Sequence, residues 1–288
     1  MKPAPFAYHR PRTREEVDGL LAEFGGEAKI LAGGQSLIPI LNMRLAAPAH
    51  VIDINGLADE LVEPALLGGT VTIGPLVRHA AAEGSQLTAT ALPLLAQALA
   101  YVAHPAIRSR GTVVGSIAHA DPAAELPAAF AALEGEARVR SARGSRSIAA
   151  PDLFVSHLET SLEEDEWIEE VRLPVQGVRG SAVEEFARRH GDYALCGVVA
   201  LAEPRAGSRI VLALAYIGMG PAPVRLELPE LTASDVAGDA LEDAVRTLAH
   251  EQLEPEDDIH ASARYRRWLA ERLGVRAARR AAGALEKH

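Results

Sequence analysis

A short strand pattern at Lys29–Ala32 runs directly into Gly33-Gly34-Gln35-Ser36 and then into the apolar stretch Leu37–Leu45. Strand, paired glycines, hydroxyl and helix start in that order bring several backbone amides together at the end of a strand. The two glycines admit backbone angles closed to other residues and let a partner come close, so successive N–H groups can form an anion-binding nest. Ser36 adds a hydroxyl, and the following helix start adds a partial positive charge. Ala32, Gly33, Gly34, Gln35, Ser36 and Leu37 are therefore candidate ligand contacts, with a diphosphate as the natural guest. An ordinary strand–helix turn is the alternative that this segment alone leaves open.

Gly111-Thr112-Val113-Val114-Gly115-Ser116 repeats the combination of small residues, a hydroxyl and pliable backbone. Asp121 follows, where it can accept from sugar hydroxyls, cap a helix running from Asp121-Pro122 through Leu133, or do both. His119 reads as a packed or surface histidine. Two such segments support a large phosphate-bearing ligand gripped at two points.

The rest of the chain sets the fold class. Thr13 and Glu16 form a capping-box pattern. Val17, Leu20, Leu21 and Phe24 then make one apolar stripe, which Gly25-Gly26 ends. Further strands are expected at His50–Ile54, Thr70–Ile73, Ala137–Ser141 and Trp167–Leu173, and a helix at Leu92–Val102 with Pro93 in its first turn. A boundary falls at Pro174-Val175-Gln176-Gly177. Three strands follow, at Val183–Arg189, Ala194–Ala202 and Arg209–Ile217, and then helices at Asp239–His250 and Ser262–Ala281. Strands followed by helices, without regular alternation, indicate an α+β fold.

Composition narrows the function. The 288 residues carry a formal net charge of −10, which argues against nucleic acid or an anionic membrane as partner. The basic C-terminus, Arg276, Arg279, Arg280 and Lys287, reads as a solvated helix end whose cations suit the helix dipole. No apolar run approaches the ~18 residues of a membrane span, and Met1–Arg14 is no signal peptide, so a cytoplasmic chain is expected. The single cysteine, Cys196, excludes an internal disulfide and a four-thiolate iron–sulfur cluster, and its apolar setting reads as a buried, inert thiol. His104, His119 and His157 lack metal-site spacing, so no metal site is expected. Walker A and nucleophile-elbow sequences are absent, and Gly218-Met219-Gly220 is followed by Pro221 and Pro223 rather than a Rossmann helix.

At these same segments the chain resembles the FAD-binding (medium) subunits of the xanthine dehydrogenase and carbon monoxide dehydrogenase family of molybdenum hydroxylases. The resemblance is carried by Phe6–Pro11, Ile30–Pro39, Val51–Ile54, Ile107–Thr112 running into Ser116–Pro122, Ala187–Leu195 and Asp257–Ala263, in that order along nearly the whole chain. It implies a two-part FAD-binding domain of the vanillyl-alcohol-oxidase (PCMH) type over residues 1–175, with a small α/β part (1–56) and a larger α+β part (57–175). A C-terminal α+β domain (176–288) with a three-stranded antiparallel sheet and helices would follow. By position, Ala32–Ser36 would hold the FAD diphosphate and Thr112–Ser116 would be the second flavin loop. Asp121 would bind ribityl or ribose hydroxyls, Lys29 and Leu162 would lie near the cofactor, and Tyr193 would lie beside the isoalloxazine.

The family pattern Thr-Ile-Gly-Gly is here Thr112-Val113-Val114-Gly115. Val114 demands negative φ where a glycine does not. The resemblance further implies partners: a small subunit with [2Fe-2S] clusters and a molybdopterin-containing large subunit, assembled as a dimer of heterotrimers. FAD would receive electrons singly and pass them to an external acceptor, so this chain would need no catalytic acid, base or nucleophile. The rival readings are a stand-alone flavin-dependent oxidase and a non-catalytic nucleotide-binding module.

Overall fold

The structure, a computed structural model, describes residues 2–57, 61–189 and 191–285. His190 of the Ala187–Leu195 motif and Lys287 of the basic C-terminus lie outside the described residues. The first unit comprises β1 (Ala7–His9), α1 (Arg14–Phe24), β2 (Ala28–Leu31), α2 (Leu37–Met43) and β3 (His50–Asp53). Its sheet is parallel with order β1-β3-β2 and pairs Leu31 with Asp53. Parallel pairing sends the segments after β2 and β3 out at one edge, which places Ala32–Ser36 beside Asn55.

Thr13 caps α1 by accepting from the Glu16 amide at 3.2 Å. The expected box is not closed, because the Glu16 carboxylate accepts from the Arg12 amide at 2.6 Å instead. Val17 and Leu21 of the apolar stripe are buried, Leu20 and Phe24 only half-buried. Asp18 is buried too, accepting from Trp167 Nε1 at 2.9 Å and Arg140 Nε at 2.7 Å. These two bonds clamp the small unit onto the next sheet.

That second unit begins with β4 (Ala65–Leu67) and β5 (Thr70–Ile73). A run of helices follows: α3 (His79–Gly84), α4 (Gln86–Ala91), α5 (Pro93–Tyr101), α6 (Pro105–Arg108), α7 (Val113–His119) and α8 (Glu125–Ala132). Then come β6 (Glu136–Ser141), β7 (Gly144–Ala149), α9 (Ala150–Leu153), the short pair β8 (Phe154–Ser156) and β9 (Glu159–Thr160), and β10 (Trp167–Pro174). The larger sheet is antiparallel with order β4-β5-β10-β6-β7.

Two expectations are corrected here. The second glycine-bearing segment is not an open loop: Thr112 is the N-cap of α7 and accepts from the Gly115 amide at 3.0 Å. Asp121-Pro122 does not open α8. Asp121 accepts from the Ala123 amide at 2.9 Å in a turn, and Ala124 stands at the N-cap.

The third unit holds β11 (Gly180–Phe186), β12 (Cys196–Arg205), β13 (Arg209–Ile217), β14 (Val224–Glu227), β15 (Leu231–Thr232), α10 (Ala233–Ala237), α11 (Asp239–Gln252) and α12 (Ala263–Leu285). The expected three-stranded sheet has five strands, in order β11-β12-β13-β14 with β15 also on β13. β14 and β15 are too short for alternation to show. Strand alternation sends Val183, Val199, Leu201, Ala215 and Ile217 into the core formed with α5 and α8, and Ala182, Val198, Ala200, Leu214 and Tyr216 into the core under α11 and α12. Among the described residues, no helix is long and apolar enough to cross a membrane.

Candidate functional site

The two glycine-bearing segments touch. A Cβ on Gly33 would lie 2.6 Å from the Arg110 carbonyl oxygen, 2.7 Å from Gly111 Cα and 3.0 Å from the Thr112 nitrogen. Gly33 is therefore needed for packing against the second segment, which leaves its backbone amide to face a ligand. Gly34 takes φ +72°, the left-handed region that favours glycine. Gln35 turns back so that its Nε2 donates to the Gly33 carbonyl at 3.2 Å. The amides of Gly33, Gly34, Gln35 and Ser36 donate to no protein acceptor among the described residues. Ser36 is the N-cap of α2, yet its hydroxyl makes no capping bond. This cradle of idle donors fits an anionic diphosphate.

In the second segment most donors are already used. The Val113 amide donates to the Val77 carbonyl at 3.1 Å and the Ser116 amide to the Thr112 carbonyl at 3.0 Å, while the Gly115 amide is held by the cap. The Val114 amide alone in this turn has no protein acceptor among the described residues. Val114 is helical, is absent from the positive-φ residues and is buried, so valine fits here without displacing the backbone.

A polar strut ties the segments together. Asn55 Nδ2 donates to the Ala32 carbonyl at 2.8 Å and to Asp53 Oδ1 at 2.6 Å. Arg78 spans the gap, with Nη2 donating to Asn55 Oδ1 at 2.5 Å and Nη1 to the Arg110 carbonyl at 2.6 Å. Tyr8 secures the far side by donating to Asp53 Oδ2 at 2.5 Å. Burial pushes the Asp53 carboxyl up, but the hydrogen bonds from Tyr8 and Asn55 outweigh it and leave Asp53 below its ordinary range. Beneath Gly111, His79 is buried, and burial lowers it to about 4. The neutral ring sets Nε2, 2.9 Å from the Thr112 carbonyl, as a donor.

A second cluster sits past the other end of α7. Asp121 follows Ala120, whose carbonyl accepts from the Leu158 amide at 3.2 Å, and Pro122 is tied to the Gly218 amide at 2.8 Å. Tyr193, 66% exposed, stands beside Asp121. Desolvation and the Asp121 carboxylate raise its phenol. Leu162 packs half-buried against the adjoining core. Glu125 at the start of α8 is only 8% exposed, and burial pushes it up to about 7. Glu185 of β11 faces the same region. Burial and the neighbouring Glu125 raise it to about 8, and its Oε2 is buried without a partner among the described residues.

Lys29 does not join either cluster. It lines a groove of about 460 Å³ with Gly26, Glu27 and residues 46–49, which precede β2 and β3 and so lie at the opposite edge of the sheet. Sequence reasoning missed Asn55, Arg78, Glu125 and Glu185. Asn55 directly follows the Val51–Ile54 motif, whereas Arg78 and Glu185 carry no local signal.

Comparison with known proteins identifies the family. Residues 4–176 match the FAD binding domain in molybdopterin dehydrogenase, and residues 181–281 match the CO dehydrogenase flavoprotein C-terminal domain. The chain therefore belongs to the FAD-binding flavoprotein subunits of the molybdenum hydroxylases, an oxidoreductase family, and its cofactor is FAD. It is 39% identical over 296 residues to the 6-hydroxypseudooxynicotine dehydrogenase complex subunit alpha of Paenarthrobacter nicotinovorans, covering 98% of this chain and 97% of that one. Identity to the carbon monoxide dehydrogenase medium chain of Hydrogenophaga pseudoflava is 34% over 283 residues, 96% of this chain and 97% of its relative. Among solved structures, quinoline 2-oxidoreductase from Pseudomonas putida 86 superposes with a TM-score of 0.87 at 34% identity, covering 99% of this chain and 100% of that one.

Proposed function

We propose that this chain is the electron-transfer subunit of a heterotrimeric molybdenum hydroxylase, taking electrons from a [2Fe-2S] partner and passing them to an external acceptor. FAD, when bound, supplies the redox chemistry, since a flavin can accept electrons singly and release them in pairs. The observation that carries the reading is the open cradle of amides at Gly33–Ser36, pinned from behind by Arg110–Thr112. In this reading the cradle and the Ser36 hydroxyl hold the diphosphate, while Ser116 and the Val114 amide contact the flavin from the second segment. Asp121 and Tyr193 flank it past the end of α7. The role assigned to Asp121 has a structural competitor in Glu125, the more buried carboxyl.

The division at residue 175, the vanillyl-alcohol-oxidase (PCMH) character of the first domain, the molybdopterin-containing partner, the dimer of heterotrimers and the cytoplasmic setting belong to the same reading. Support comes from the family membership and from relatives named as parts of dehydrogenase complexes.

The test is spectroscopic. The isolated chain, loaded with about one FAD, is expected to leave the flavin oxidised when the organic substrate of the complex is added anaerobically. Bleaching of the flavin bands is expected only when the molybdenum- and iron–sulfur-bearing chains are also present. Bleaching by substrate with the isolated chain would instead establish a stand-alone oxidase.

A further inference from the structure

The exposed face of α12 is unlike the rest of this acidic chain. Arg264, Trp268, Arg272, Arg276 and Arg280 recur every four residues and are all exposed. Residues four apart stack along one side of a helix, so they form a row about 24 Å long at ~1.5 Å rise per residue. Tyr265 widens it. Its ring stacks on Trp268 with centroids 5.9 Å apart, and Phe186 of β11 meets it edge-on at 6.4 Å. Trp268 is 50%, Phe186 41% and Tyr265 39% exposed. In a chain with 4% aromatics, a run of three rings joined through Tyr265 and left in solvent marks an interaction surface.

The charge is only partly paired. Arg276 and Arg280 share the single carboxylate of Glu184. Arg264 and Arg272 have no acidic partner among the described residues, and Glu271 on the same helix is engaged with His250 at 3.1 Å. A groove of about 450 Å³ opens beside the row, lined by Arg272, Val275, Arg276, Arg279 and Arg280, with Glu242 as the one acidic residue in its lining. The helix dipole accounts for cations near the C-terminal end of α12. It disfavours Arg264, which stands in the first turn, where the dipole is positive. A solvated helix end therefore does not explain Arg264 or the aromatic rings beside it.

We propose that the aromatic–arginine face of α12 and β11 is the docking surface for a protein partner that presents carboxylates around an apolar hollow. This rests on the reading of the chain as one subunit of a complex. Aromatic and arginine side chains are the types that anchor protein interfaces, and the net charge of −10 opposes a nucleic acid as the occupant. The surface carries no residue of the FAD site.

The experiment uses the full chain co-expressed with its iron–sulfur and molybdenum partner chains. The variants are Arg264→Glu with Arg272→Glu, and Trp268→Ala. Each is expected to keep the FAD content and melting temperature of the parent chain while its affinity for the partner chains falls at least about tenfold. Parent-chain binding should also weaken as salt rises. Assembly of the charge-reversed variant with parental affinity and salt dependence overturns the proposal. So does loss of a self-dimer with partner binding intact, which would assign the face to a second copy of the chain. A parent chain devoid of FAD would count against the proposed function and leave this surface to be judged by binding alone.

Discussion

A methyl group at Gly33 would sit 2.6 Å from the Arg110 carbonyl oxygen, so Gly33→Ala must push the two glycine-bearing segments apart. Overpacking of this kind costs about 1–3 kcal/mol, and both stability and FAD retention are expected to fall. Ser36→Ala separates the two effects. Its hydroxyl makes no capping bond, so the melting temperature of the FAD-free chain should hold while FAD binds about tenfold more weakly, ~1.4 kcal/mol. An FAD-free Gly33→Ala chain as stable as its parent would contradict the packing account. Glu185 makes a pH-dependent case. Its folded value of about 8 lies above the ordinary 4.5, so between these values the folded chain holds a proton that the unfolded chain releases. That contribution is complete below about pH 4.5 and is lost as pH rises through about 8. Glu185→Gln keeps the neutral shape and should flatten this decline, with a gain of roughly 1–3 kcal/mol near pH 9 and little change near pH 5, read from urea midpoints. Because Glu125 lies beside it, the pair titrates together and the slope belongs to both.

Among the elements, α1 shows how a charged residue can hold two units together. Asp18 is 5% exposed and accepts from Trp167 and Arg140, while Arg140 also reaches Glu15 at 2.6 Å. Removing one partner of a buried pair leaves the other charge uncompensated, so Asp18→Ala should cost about 3–5 kcal/mol. Trp167 fluorescence should redshift at temperatures where the parent is still folded, and an unshifted denaturation midpoint would refute the clamp. The periodicity that revealed α1 could not reveal this, because Asp18 owes its burial to residues more than a hundred positions away. Elements with strong local patterns were legible within a few residues, as for β5, α5, β13 and α11. α7 carries no helix signal in the sequence, because Gly111 precedes it, Gly115 interrupts it and its β-branched residues have weak helix propensity. It is held by burial of Val113, Val114 and Ile117 and by the Thr112 cap. β14 and β15 lack the length for alternation to register. Within the site, both glycine-bearing segments were legible from composition and spacing. The Asn55–Arg78 strut was not, since it exists only once β3 and the start of α3 are brought together.

At the scale of the whole molecule, a chain of 288 residues would ordinarily divide into domains with separate cores. Here Val183, Val199, Leu201, Ala215 and Ile217 from the C-terminal sheet share one core with Leu94, Leu95, Ala98 and Phe130 of α5 and α8. The same sheet buries its other face beneath α11 and α12, and at Gly180 its edge strand leaves no room for a side chain. A Cβ on Gly180 would lie 2.0 Å from the Ala281 carbonyl oxygen and 3.2 Å from the Leu285 nitrogen, both backbone atoms of α12. Gly180→Ala must therefore lift α12 from β11, far along the chain from either glycine-bearing segment. If the shared core couples the units, this variant should lower the temperature of FAD release together with the loss of helical signal, and one midpoint should describe both. Independent domains predict otherwise: helical signal would be lost early from α12 while FAD release stayed at the parental temperature. Flavin fluorescence and far-UV circular dichroism recorded on the same heated sample distinguish the two, and two separated transitions would show that the common core does not transmit stability between the sheets.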